Sequence, residues 1–143
     1  MSVGGQIDQA AHVNDAIDTL DDTVGFDKAV EAALVFQAEH PDTLVIVTAD
    51  HATGGLTIED SPQDVACPEP KQDDPRECKT ALHEDGPFAE SGGASFWIDW
   101  TTSSHTGDDV PVMAIGPGAA SLVGGYENTH IFQAMCEALG LPR

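Results

Sequence analysis

From Ile7 onward, apolar residues return at helical spacing through Ala11, Ala16, Ile17 and Leu20, and again through Val30, Ala33, Leu34 and Ala38. The pattern predicts two helices, or one helix broken near Gly25, across residues 8–39. At His40-Pro41-Asp42 the helical period stops, because a residue that precedes proline avoids the α region. Leu44-Val45-Ile46-Val47 follows as an unbroken, mostly β-branched apolar run. Such a run, without the alternation of a half-exposed strand, reads as a central strand covered on both faces and reaching to about residue 49.

A helix that feeds directly into a buried strand is the αβ half of a βαβ unit, so the expected class is α/β, a mostly parallel sheet with helices on both faces. Further strands are predicted at Ser95 to Trp100 and Val110 to Ile115. A closing helix, capped by an Asn or Thr, is predicted from Asn128 to Leu139. Between Glu59 and Gly93 the chain is rich in Pro, Asp, Glu, Gln and Gly, and a stretch of that length inside a compact domain reads as a functional loop or an inserted subdomain. The whole, residues 1–143, is expected to be one domain interrupted at about 59–93.

Charge narrows the set of partners. Twenty-five acidic against five basic residues give a formal charge of −20, which repels nucleic acid phosphates and anionic lipid. The acids are scattered along the chain, as on a heavily hydrated surface working in high salt or on an ordinary acidic secreted protein. No stretch approaches the roughly 18–20 apolar residues that span a bilayer, and Met1 to Gly5 has neither the basic nor the apolar part of a signal peptide. Of three cysteines, Cys67 and Cys78 flank a proline-rich charged loop that a short disulfide would hold together. Cys136 falls in the apolar helical pattern of Ile131, Phe132, Met135 and Leu139 and is expected to be a buried free thiol.

In an open α/β sheet, function gathers where strands end at their carboxyl side, and Asp50-His51 sits there after the 44–49 run. A carboxylate beside an imidazole suits zinc, although a turn-forming Asp next to a surface His looks the same in sequence. Asp8 and His12 are four residues apart at the start of the first helix, which stacks them on one face. They can share a metal or simply form an exposed face with an acid near the helix N-terminus. His105 lies in "SSHTGDDVPV", ahead of a glycine turn, and by itself is a loop histidine. His40, His83 and His130 are explained by capping or solvent contact.

Taken together, "GGQIDQAAHVNDAI", "TLVIVTADHATGGL" and "SSHTGDDVPVMAIGPGA" resemble the C-terminal half of the alkaline phosphatases, in the same order and at comparable separations. The resemblance runs from residue 4 to the end through "FDKAVEAALVF" and "GGYENTHIFQAMCEALGL", and weakens at 59–93. It implies a two-zinc phosphate monoesterase. The first zinc would take Asp8, His12 and His105, and the second would include Asp50 and His51. It also implies a periplasmic or extracellular location and a phosphate monoester or phosphate as partner; without the other half, the 44–49 strand would keep an unpaired edge and exposed apolar surface, so a homo-oligomer that covers them is expected.

The family's serine nucleophile, its flanking aspartate and its phosphate-binding arginine belong to the N-terminal half and have no counterpart here. Asp60-Ser61 is followed by Pro62 where the family motif has alanine, and Ser103 and Ser104 read as shaping the turn before His105. Val3 stands where the family has a magnesium-binding glutamate, so a magnesium site is doubtful. The Met1-Ser2-Val3 opening, with close agreement beginning at Gly4, is expected of a chain that starts inside a longer gene. Two other readings stay open: a non-catalytic zinc-binding or assembly module, and a related phosphodiesterase or sulfatase-type hydrolase.

Overall fold

The computed structural model describes residues 5–59, 85–89 and 92–142. The chain begins with helix α1, Gly5–His12, and helix α2, Ala16–Glu39. The break between them lies at residues 13–15, not near Gly25, which sits inside α2. Asn14 takes a left-handed conformation (φ 56°), which Asn tolerates better than most residues, and that turns the chain out of α1. Asp15 then starts α2 by accepting the Asp18 amide on Oδ1 at 2.9 Å, the contact of an N-cap side chain. The signal was present in the sequence as Asn-Asp, but glycine's low helix propensity pointed to the wrong place. At the far end His40 Nδ1 donates to the Phe36 carbonyl at 3.0 Å, and its ring stacks on Phe36.

The remaining elements are β1 (Val45–Val47), β2 (Ala52–Thr53), β3 (Leu56–Glu59), β4 (Asp85–Ala89), β5 (Ser95–Trp100), β6 (His105–Thr106), β7 (Met113–Ile115), a 3-10 turn at Ala119–Leu122 and α3 (Thr129–Leu139). They fall into two compact units. One contains residues 22–52 and 107–142 and therefore β1, β7, the 3-10 turn, α3 and most of α2. The other contains, of the described residues, 5–21, 53–59, 85–89 and 92–106.

In the first unit β1 and β7 pair antiparallel, with Val45 opposite Ile115 and Val47 opposite Met113. Gly116 follows β7 at φ 106°, and a Cβ there would sit 2.2 Å from the Thr43 carbonyl oxygen, so glycine alone fits this approach. Leu122, Ala134 and Cys136 are buried, and Cys136 is a free thiol as the helical pattern predicted. The expected closing helix is present, but Asn128 makes no side-chain cap bond. Gly140 ends it in the left-handed region, its amide donating to the Cys136 and Glu137 carbonyls.

In the second unit three antiparallel strands are ordered β3-β5-β4. Phe96, Ile98 and Trp100 alternate onto one face of β5, where Ile98 and Trp100 pack with Ala11 and Ala16 and with the half-buried Phe88. Asp85 ties the packing together, its Oδ2 accepting both the Trp100 indole N–H and the Ala16 amide at 3.3 Å. β4 lies within the stretch that the sequence marked as an insertion, and it joins the sheet. Cys67, Cys78, Ser61 and His83 lie outside the described residues, and so does the expected disulfide.

Two expectations need correction. The α/β class stands, but the ladders with a defined register are antiparallel, where a mostly parallel sheet was expected. Between β1 and β7 the chain leaves for the part of the second unit that begins at Thr53, and it returns in the opposite sense instead of by a short helical crossover. Nor is β1 fully covered: all three residues are half-buried, and among the described residues its ladder is with β7 alone. A continuous apolar run does not distinguish a strand flanked on both sides from one flanked on one.

Candidate metal centre

α1 sets Asp8 and His12 one helical turn apart, with His12 Nε2 3.5 Å from Asp8 Oδ1. His105 begins β6, and its Nε2 lies 3.7 Å from the same Asp8 oxygen and 3.1 Å from His12 Nε2. The structure thus gathers three residues that are up to 97 positions apart in sequence, with one donor atom of each within 4.8 Å of the others. All three belong to the second unit. Their side chains are roughly a third to a half exposed, at 34% for Asp8, 36% for His12 and 52% for His105, so solvent or a small ligand can reach the cluster.

The proton on His12 can be assigned from its neighbour. His12 Nδ1 is 2.8 Å from the Ser103 carbonyl, which only accepts, so Nδ1 carries the hydrogen and neutral His12 turns a bare lone pair on Nε2 toward His105. Two ring nitrogens 3.1 Å apart need a shared proton or a cation between them. Donors on a tetrahedral ion at about 2.0–2.1 Å stand about 3.3–3.4 Å apart. The edges here, 3.1, 3.5 and 3.7 Å, bracket that spacing, and one carboxylate oxygen with two imidazole nitrogens is a donor set suited to zinc. The residues fit the metal.

A framework of backbone contacts holds the cluster. The Gly54 amide donates to the Ser104 carbonyl at 3.0 Å, and the Gly54 carbonyl accepts the Thr101 and Thr102 amides at 3.1 and 3.2 Å. With its amide nitrogen facing the acceptors, Asn14 donates to the Ala11 and Thr102 carbonyls at 3.0 Å, joining the end of α1 to the same turn. Thr53 donates to Asp8 Oδ1 at 2.6 Å. Reading the sequence missed Thr53. Its partner is 45 positions away, and no local spacing announces such a pair.

Asp50 and His51 lie in the first unit just past β1, with His51 Nε2 3.5 Å from Asp50 Oδ2. Asp50 is largely exposed and His51 less than a third so. No third donor from the described residues joins them within the unit in a metal-sized group. Asp50 borders a cleft of ≈ 620 Å³, together with Asp108, Asp109, Val112, Tyr126 and Ile131. His130 donates from Nε2 to the Ser121 carbonyl at 2.8 Å and packs on Tyr126, a part-buried tertiary contact where capping or solvent contact was expected.

Comparison with known proteins gives a consistent family. The alkaline phosphatase family model matches residues 1–141. The streptomycin-6-phosphate phosphatase of Streptomyces griseus is 38% identical over 140 residues, which is 96% of this chain and 28% of that protein. The alkaline phosphatase of Escherichia fergusonii is 37% identical over 139 residues, covering 96% of this chain and 27% of its own length. Among solved structures, the alkaline phosphatase of the Antarctic bacterium TAB5 superposes with a TM-score of 0.73 at 30% identity, over 98% of this chain and 34% of that one. A cold-active Shewanella alkaline phosphatase gives 0.69 at 27% identity, covering 98% and 44%. A TAB5 variant has been solved with Mg bound in its M3 site. This chain spans 27–44% of the length of these relatives. Three motif segments in order, a family match over nearly every residue and a shared fold lead to one conclusion: the chain belongs to the alkaline phosphatase family.

Proposed function

We propose that this chain carries the zinc-holding part of a phosphate monoesterase, with Asp8, His12 and His105 as the ligands of one zinc and Asp50 and His51 as ligands belonging to a second. The observation that carries the reading is the triangle of donors, 3.1, 3.5 and 3.7 Å on a side, with His12 tautomerised so that Nε2 faces its centre. When bound, zinc supplies Lewis acidity toward an oxygen of the phosphate ester. Asp8 brings a negative charge that balances part of the ion's, and the two neutral imidazoles leave the site a net cation that attracts an anionic ester. The partial exposure of the cluster agrees with a catalytic site, which keeps a coordination position open, where a structural zinc is closed off.

A second reading, a zinc-binding module without turnover, is favoured by the scarcity of cations. Arg76 and Arg143 are the two arginines of the sequence and neither is among the described residues, where Lys28 is the one Lys or Arg. A related diesterase or sulfatase-type hydrolase is separated by comparing ester classes. Magnesium stays doubtful with Val3 at the glutamate position. A periplasmic or extracellular location and a homo-oligomer complete the proposal, the oligomer supported by large apolar side chains left exposed on α3, Phe132 and Leu139 above all. Among the described residues no helix is long and apolar enough to cross a membrane.

The test is hydrolysis of a chromogenic phosphate monoester at alkaline pH with zinc, with sulfate and phosphodiester analogues alongside and His105→Ala as control. Zinc-dependent turnover on the monoester, lost in the variant, supports the first reading. Zinc binding with no turnover on any ester favours the module.

A further inference from the structure

We infer that Thr53 is the positioning residue of the three-ligand site, its hydroxyl fixing Asp8 so that Oδ1 is presented to the ion as a single, oriented donor. The inference rests on the zinc reading above. Thr53 Oγ1 donates to Asp8 Oδ1 at 2.6 Å, the short distance of a hydrogen bond onto a charged oxygen. That oxygen is the same one that faces His12 Nε2 and His105 Nε2. A carboxylate oxygen has two lone-pair directions in its plane. With the Thr53 proton on one, the carboxylate can no longer rotate about its terminal torsion without losing the bond, and the oxygen stays turned to the imidazoles.

The need for such a contact follows from where Asp8 sits. It is a third exposed on a short helix, so without a partner its carboxylate would sample water-facing orientations, and ordering it would oppose metal binding. A hydroxyl is suited to the task because it orients the ligand and leaves its charge in place, whereas a cationic neighbour would compete with the metal for the same oxygen. Thr53 is itself held. It belongs to β2, paired with β6 that begins at His105, and the next residue, Gly54, is bonded to the turn whose Ser103 carbonyl fixes His12. One two-residue step of chain, 53–54, is thereby connected to all three ligands, and the side chain of Thr53 acts on the carboxylate.

The experiment measures zinc affinity of the 143-residue chain by chelator competition, with the absorption spectrum of the cobalt(II)-loaded protein as a report on ligand geometry. Thr53→Val removes the donor at nearly constant volume and Thr53→Ser restores it. The expected result is a loss of about 10–100-fold in zinc affinity for Thr53→Val with an altered cobalt spectrum, and near-recovery of both in Thr53→Ser. Metal-free circular dichroism and thermal midpoint check the fold, and if Thr53→Val does not fold, Thr53→Ala against Thr53→Ser is judged by the same criteria. Equal affinity in wild type and Thr53→Val, with binding abolished in His105→Ala, would overturn this inference and leave the zinc reading standing. No zinc binding by the wild-type chain, or binding undiminished in His105→Ala, overturns the zinc reading and this inference with it.

Discussion

Gly54 shows how much of the site is decided by single atoms. Its φ is +80°, and a Cβ there would lie 2.5 Å from the Trp100 ring and 3.1 Å from the Ala11 carbonyl oxygen. Gly54→Ala is therefore expected to cost about 2–4 kcal/mol, combining left-handed strain with overpacking, read as a lower denaturant midpoint at unchanged slope. At the ligands, proton and zinc compete for the same imidazole lone pairs, so affinity falls as solution is acidified, and a titration should show protons released on binding. On the proposed division of ligands, His105→Ala should weaken zinc binding at Asp8 and His12 more than any metal binding at Asp50 and His51; equal loss at both would mean the ligands are wrongly divided.

At the scale of elements, the second unit depends on a few contacts between α1, the start of α2 and β5. Ile98 is 1% exposed, the largest side chain buried so completely among the described residues, and Ile98→Ala is expected to cost about 2–5 kcal/mol by the lost transfer energy and the cavity left behind. Asp85 serves two donors from different elements with one oxygen. Asp85→Ala leaves the Trp100 indole and the first amide of α2 without that acceptor and should destabilise by about 1–3 kcal/mol. Thermal unfolding followed by tryptophan fluorescence tests both, since Trp100 reports on the face they hold.

For the whole molecule, electrostatics and exposed apolar surface set opposing conditions. A net charge of −20 on 143 residues destabilises the compact state through self-repulsion, and salt screens it. The thermal midpoint should therefore rise with sodium chloride, and an unchanged or falling midpoint would show that repulsion is not limiting. On the zinc reading proposed above, zinc should raise the midpoint further by mass action, with the logarithm of its excess over the dissociation constant, and a chelator should reverse the rise. The same screening favours self-association through residues such as Phe132 and Leu139, so light scattering is expected to show larger species at high salt than at low.

The sequence carried what depends on local chemistry. Helical period marked residues 8–39 as helical and placed the closing helix, β5 was read at its observed limits, the i, i+4 spacing put Asp8 and His12 on one face, and ordered motifs pointed to the family. Local propensity could not decide which competing break signal wins, so the interruption expected near Gly25 lies at Asn14-Asp15. Strand sense and coverage were decided by the fold, because they depend on how the chain returns, and an apolar run is compatible with either return. The approach of His105 to His12 and the bond from Thr53 to Asp8 also belong to tertiary structure, joining residues 93 and 45 positions apart. Spacing along a chain encodes neighbours within a helix turn or a strand pleat; it holds no record of which distant turns are brought into contact when the core closes.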